Sequence, residues 1–260
     1  MDEITIRECL TVEEFDRCVT LQRDVFRLPD LEISPRRHLV VSRQAGGWTL
    51  GAFTADGRLA GFVHHLVAVG EADRIFGYSH MMAIDREYQN QGIGARLKWA
   101  QRERALAEGR SFIKWTWDPL QSRNAHFNLN RLGVVVRSYA ENFYGTDYGS
   151  DPNQPDAPGL DSDRLFANWE LTSVRVKQRA GGGQFETQKD FKASVAIPAD
   201  WGLLVKTDPV SARREQLRVR GEFQQAFADG LICAGFDRTA GHPRYLFYET
   251  KTIAASLEEA

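Results

Sequence analysis

The run Gln89-Asn90-Gln91-Gly92-Ile93-Gly94-Ala95 is the stretch of this sequence best equipped for chemistry. It lies between an apolar segment and one with helical spacing, so its two glycines fall in a strand-to-helix turn. Glycine lets backbone amides approach a phosphate closely, and a helix start adds unpaired N–H groups and the positive end of its dipole. A diphosphate suits such a turn; a tight turn without ligand is the plainer alternative. The chain has no G-x-x-x-x-G-K-[ST] run, which excludes a P-loop. A dinucleotide fingerprint needs a third glycine where Leu97 stands, and it belongs on the first strand of a βαβ unit, not the fourth. Among side chains, His80 precedes the turn and titrates near neutrality. Asp118, in Trp115-Thr116-Trp117-Asp118-Pro119, can bind an amine, relay its proton, or merely shape the turn before Pro119. Tyr139, Tyr144 and Tyr148 offer phenols for proton donation, with sheet or loop aromatics as the alternative.

The elements that must position these groups follow from periodicity. A strand is expected over 3–9, then a helix opened by the capping-box pair Thr11 and Glu14 and running to Phe26. After a loop with Pro29 and Pro35, strands over 48–54 and 58–69 flank the Asp56-Gly57 turn signal as a hairpin. A central strand over 74–85 is followed by a helix over 91–109 with Ile93, Leu97 and Ala100 on one face. Then come a strand over 111–117, a helix over 121–132 closed by Gly133, and strands over 134–143 and 165–176. Residues 145–163, rich in proline, glycine and aspartate, read as a long loop and a candidate lid. The expected organisation is a domain over 1–177, a linker over 178–190 containing Gly181-Gly182-Gly183, and a strand-helix-strand-strand extension over 191–260.

The pattern Gln89-x-x-Gly92-x-Gly94 resembles the [Arg/Gln]-x-x-Gly-x-[Gly/Ala] signature of the GNAT superfamily of acyl-CoA-dependent N-acyltransferases. A second landmark, Ser122-Arg123-Asn124-Ala125-His126-Phe127-Asn128-Leu129-Asn130-Arg131-Leu132-Gly133-Val134, is similar to that family's Asn-x-x-Ala-x-x-Leu-Tyr-x-x-x-Gly-Phe helix. The resemblance covers about 3–176 in element order, and a C-terminal extension is similar to that of a branch of bacterial acetyltransferases. It implies a mixed α/β fold with a central, mostly antiparallel twisted sheet flanked by helices, plus the small C-terminal αβ module. It implies acetyl-CoA or another acyl-CoA as co-substrate, with the diphosphate on Gln89, Asn90, Gln91, Gly92, Ile93, Gly94 and Ala95. The pantetheine arm would follow the strand edge at Met82, Ala83 and Ile84. Asn124 and Asn128, one helical turn apart, would add hydrogen bonds. A backbone amide at Met82 or Ala83 would face the thioester where the fourth and fifth strands part, and His80, Asp118 and Tyr144 are the candidate catalytic side chains. The chain departs from the family at Leu129, where a tyrosine normally protonates the leaving thiolate.

Composition narrows the partners. Net charge is −2, which gives no support to nucleic-acid binding. Cys9, Cys18 and Cys233 lack C-x-x-C spacing, so neither a disulfide framework nor a zinc site is indicated; reduced, half-buried thiols are expected, with no metal. The N-terminus does not resemble a signal peptide, and no apolar run approaches the ~20 residues of a membrane span, so a cytoplasmic protein is the expectation. Direct acyl transfer to a small-molecule amine is the first reading. A coenzyme A sensor that has lost its chemistry is the second, and an interaction protein paired as a homodimer through its C-terminal module is the third. Arg213, Arg214, Arg218 and Arg220 either meet an anionic acceptor or form a solvated face.

Overall fold

The computed structural model describes residues 3–148, 159–183, 190–238 and 242–258, and the chain divides into two compact units, Met1–Ile113 and Lys114–Ala260. In the first, strands β1 (Thr5–Glu8), β2 (Trp48–Phe53), β3 (Leu59–Val69) and β4 (Ile75–Ile84) pair antiparallel in that order. Helices α1 (Val12–Phe26), α2 (Arg36–Gln44) and α3 (Ile93–Ala107) cover the sheet. The expected capping box forms: Thr11 Oγ1 accepts from the Glu14 N–H, and the Glu14 carboxylate accepts from the Thr11 N–H. Helix α2 lies where a loop was expected, because its polar sequence hides a single fully buried anchor, Leu39.

Strand alternation sorts the core into two layers. On one face Phe15, Cys18, Leu21 and Leu39 meet Phe53, Phe62 and Ala83, so Cys9 and Cys18 are fully rather than half buried. On the other, Ile93 and Leu97 of α3 meet Trp48, Leu50, Ala52 and Val63, joined by Met82 and Ile84. Each fully buried Leu, Ile, Val or Phe among them contributes roughly 1.5–3 kcal/mol. The first turn of α3 is thereby fixed against the sheet.

Strand β4 carries one residue more than its partner: His64 faces Met81, but His65 faces Ser79. His80 is the unpaired residue of this β-bulge. Bulges of this kind re-aim side chains and recur beside active sites.

Below the α3 face a polar network is buried. Lys98, 2 % exposed, donates to Ser79 Oγ at 2.8 Å and to Gln101 Oε1 at 2.9 Å, and Gln101 Nε2 lies 3.2 Å from His65 Nδ1. Burial holds the Lys98 pKa well below that of a free lysine. The unfolded chain therefore binds a proton that the folded chain lacks, at pH values between the folded and unfolded pKa. Stability should rise with pH across that window, by up to about 1.4 kcal/mol per pH unit. Denaturant titrations at pH 7 and 9 should show this gain in the native protein and not in Lys98→Met; equal slopes would contradict it.

In the second unit, the strand order is β5 (Phe112–Trp117, which begins at the end of the first unit), β7 (Arg164–Glu170) and β6 (Tyr139–Ala140). The expected strand over 134–143 is reduced to β6 and isolated bridges at Val135 and Val136. The expected helix over 121–132 is α4 (Ser122–Ala125) followed by a π-helix, His126–Arg131. The strand expected over 165–176 ends at Glu170, and α5 (Val174–Ala180) runs three residues into the stretch read as a linker, of which 184–189 lie outside the described residues. The C-terminal module is a three-stranded antiparallel sheet, β8 (Ala193–Ala196), β10 (Arg244–Glu249) and β9 (Leu231–Asp237). With it go α6 (Trp201–Thr207), α7 (Pro209–Ala228) and α8 (Thr250–Leu257); α6 and α8 were not expected. Phe223 of α7 packs on Tyr245 and Phe247. No described helix is long and apolar enough to cross a membrane.

Candidate active site

The turn that joins β4 to α3 is built as a cradle of amides. Asp85 Oδ1 accepts from the Glu87 N–H at 3.1 Å and its other oxygen pairs with Arg58 at 2.9 Å, fixing where the chain leaves the sheet. Gln89 Nε2 reaches back to the Ile84 carbonyl at 3.1 Å, and Gln91 Nε2 to that of Glu87 at 2.8 Å. Asn90 and Gly92 take left-handed conformations, at φ +63° and +80°. Such alternation turns successive N–H groups toward one concavity. A Cβ on Gly92 would meet nothing within 4 Å, so its backbone angle, not crowding, calls for glycine. No side chain caps α3, and its first backbone bond runs from the Arg96 N–H to the Gly92 carbonyl at 3.1 Å. The amides of Ile93, Gly94 and Ala95 precede that bond and have no acceptor within the helix's own ladder.

Upstream, Met82, Ala83 and Ile84 are laddered to Val63, Phe62 and Gly61 of β3. Their side chains serve the core: Met82 and Ile84 belong to the α3 face, Ala83 to the α1 face. The bulge separates His80 from Met82. His80 turns to the α1–α2 face, where its ring lies edge-on to His38 and His64, with centroids 5.3 and 6.0 Å away. His64 is fully buried, its Nδ1 2.8 Å from Thr49 Oγ1 and its Nε2 3.1 Å from Ser42 Oγ. Burial, followed by the neighbouring rings, pulls its pKa down to about 3. His80 keeps an exposed side, and partial loss of water followed by His38 pulls it down as well. All three rings are thus neutral at pH 7. Sequence reasoning found only His80, because the partners lie on other elements with no motif spacing.

In the second unit Asp118 is half-buried and occupied with its turn. Its Oδ1 accepts from the Leu120 N–H at 2.9 Å and its Oδ2 from Gln121 Nε2 at 3.3 Å. Burial raises its pKa, with the Leu120 amide opposing. Tyr144 is exposed, stacked on Tyr148 at 4.7 Å and 3.5 Å from Thr116 Oγ1. The π-helix leaves Asn124 exposed and Asn128 buried, so the two do not share an open face. Leu129, at the family's tyrosine position, is fully buried. Tyr139 donates to Asp163 Oδ2 at 2.6 Å and is held protonated by burial and that bond. The α7 arginines are largely paired with carboxylates. Arg220 bonds Asp161 and Asp163, Arg213 bonds Asp161, and Arg218 bonds Glu215 and Glu222. Of the expected loop over 145–163, residues 149–158 lie outside the described residues, while Asp147 and Leu160 are joined backbone to backbone at 2.7 Å.

An antiparallel sheet with helices on both faces thus carries an amide cradle at the start of α3. Over residues 13–133 the chain matches the sequence profile of the acetyltransferase (GNAT) family. Curated protein sequences contain no match to it. Among solved structures it is similar to the ribosomal-protein-S18-alanine N-acetyltransferase of Escherichia coli, with 14 % identity over 65 % of this chain and 94 % of that one and a TM-score of 0.51. It is also similar to a GNAT-family acetyltransferase of Streptococcus pneumoniae, with 20 % identity, 64 % and 98 % coverage and a TM-score of 0.50. The NatC complex bound to Gag peptide and CoA gives 16 % identity, 65 % and 99 % coverage and a TM-score of 0.50. At these identities the likeness concerns the fold.

Proposed function

We propose that this chain transfers an acetyl or related acyl group from coenzyme A to a primary amine of a small molecule or amino acid derivative, by direct attack in a ternary complex. The observation that carries this reading is the uncapped start of α3 behind the left-handed turns at Asn90 and Gly92. Residues 89–95 would hold the diphosphate of acyl-CoA, and the thioester that the cofactor brings supplies the acyl group. Direct transfer needs a neutral amine held within reach, support for the developing oxyanion and a proton for the leaving thiolate. His80, neutral at pH 7, can accept the amine's proton. With Leu129 at the family's tyrosine position, the thiolate takes its proton from water.

Calorimetry with coenzyme A and acetyl-CoA tests the cradle, and thiol release across an amine panel tests the transfer. His80→Gln should lower kcat by about 10²-fold, with little change in KM for acetyl-CoA. Heat on binding with no thiol release from any amine would favour the sensor reading; absence of heat would refute both.

A further inference from the structure

From the convergence of three imidazoles we infer that His38 of α2, His64 of β3 and His80 of β4 form a binding site for one transition-metal dication of the zinc class. One ligand nitrogen from each ring lies within 4.8 Å of the other two. The rings are tilted steeply to one another in every pair, at interplanar angles of 63–74°, so none is stacked flat on another. Zinc–nitrogen bonds of ~2.0–2.1 Å at tetrahedral angles set ligand atoms about 3.4 Å apart. Side-chain torsion would have to close the remaining gap of up to about 1.4 Å.

Two further observations favour a metal over mere packing. His38 Nε2 is buried and has no hydrogen-bond partner. A buried orphan acceptor or donor costs about 1–3 kcal/mol, and a metal bond would remove that cost. His64 is oriented from behind: with its Nδ1–H given to Thr49 Oγ1 at 2.8 Å, the Nε2 lone pair is left for a ligand bond. Ser42, 3.1 Å from that nitrogen, also lies 3.1 Å from the Leu39 carbonyl, to which its hydroxyl can donate while a metal takes the lone pair. A hydrogen-bonded second nitrogen is the usual support of a metal-bound histidine. Three neutral imidazoles leave a fourth position open, and the exposed side of His80 gives an entry path. An ion bound through His80 would occupy the lone pair assigned above to the amine's proton.

The test is a titration of untagged, chelator-treated protein with Zn²⁺ against a chromophoric competitor, with Co²⁺ as a spectroscopic probe. One Zn²⁺ per chain and visible ligand-field bands with Co²⁺ are expected. His80→Gln alters an exposed position and should weaken the affinity at least ~10-fold, and Thr49→Val about 10-fold through the His64 ring. No stoichiometric binding, or affinity unchanged in His80→Gln, would overturn the site. Neither readout involves coenzyme A, so its failure is separate from failure of the acyl-transfer reading.

Discussion

Gly94→Glu is expected to weaken coenzyme A binding by about 100-fold while leaving the fold intact. A Cβ at this position would touch only Met82 Cε at 3.5 Å and Ile84 Cγ1 at 3.8 Å, which are ordinary contacts. An acidic residue in the first helical turn favours the helix by roughly 0.3–1 kcal/mol, so the melting temperature should hold or rise slightly. The same carboxylate would compete for the amides of residues 93–95 and repel a diphosphate. A loss of about 2.7 kcal/mol in binding corresponds to the stated factor. Calorimetry alongside a thermal melt separates the two effects. A variant that melts normally and still binds tightly would refute the cradle.

Arg175→Met should cost about 3–5 kcal/mol of stability, read from denaturant unfolding. This guanidinium, 6 % exposed, donates to the carbonyls of Gly133 at 3.0 Å and Leu129 at 3.1 Å, and also to that of Ala234. It therefore fastens the end of the π-helix to β9 within the second unit. Burial lowers its pKa to about 10, so it stays charged at neutral pH. Arg175→Lys should recover little, since a single ammonium cannot reproduce a planar fork that serves three acceptors. A loss below about 1 kcal/mol would show that the clamp is incidental.

The parts of the fold that were legible in the sequence are those written locally. The Thr11–Glu14 box, the Asp56-Gly57 turn and the glycine-rich start of α3 each depend on residues a few positions apart, and each forms as the spacing implies. Helix α2 was hidden because Arg36, Arg37 and His38 mask its one fully buried residue, Leu39. The π-helix at His126–Arg131 widens one turn without altering the residue types that suggest a helix, so the facing of Asn124 and Asn128 was misjudged. Arg175 sits where β-branched neighbours, Val174 and Val176, imitate a strand, and its long-range carbonyl partners override that local preference. The histidine trio draws on three elements, and only tertiary structure makes them neighbours.

The extra residue in β4 has an evolutionary consequence. Pairing is regular on either side of His80, with His64 opposite Met81 and His65 opposite Ser79. Loss of that one codon would join the two registers into a continuous ladder, whereas a deletion elsewhere in the strand would throw every later side chain onto the wrong face. Relatives with and without this residue can therefore share one scaffold, and a lineage can acquire or discard the histidine in a single step without rebuilding its core.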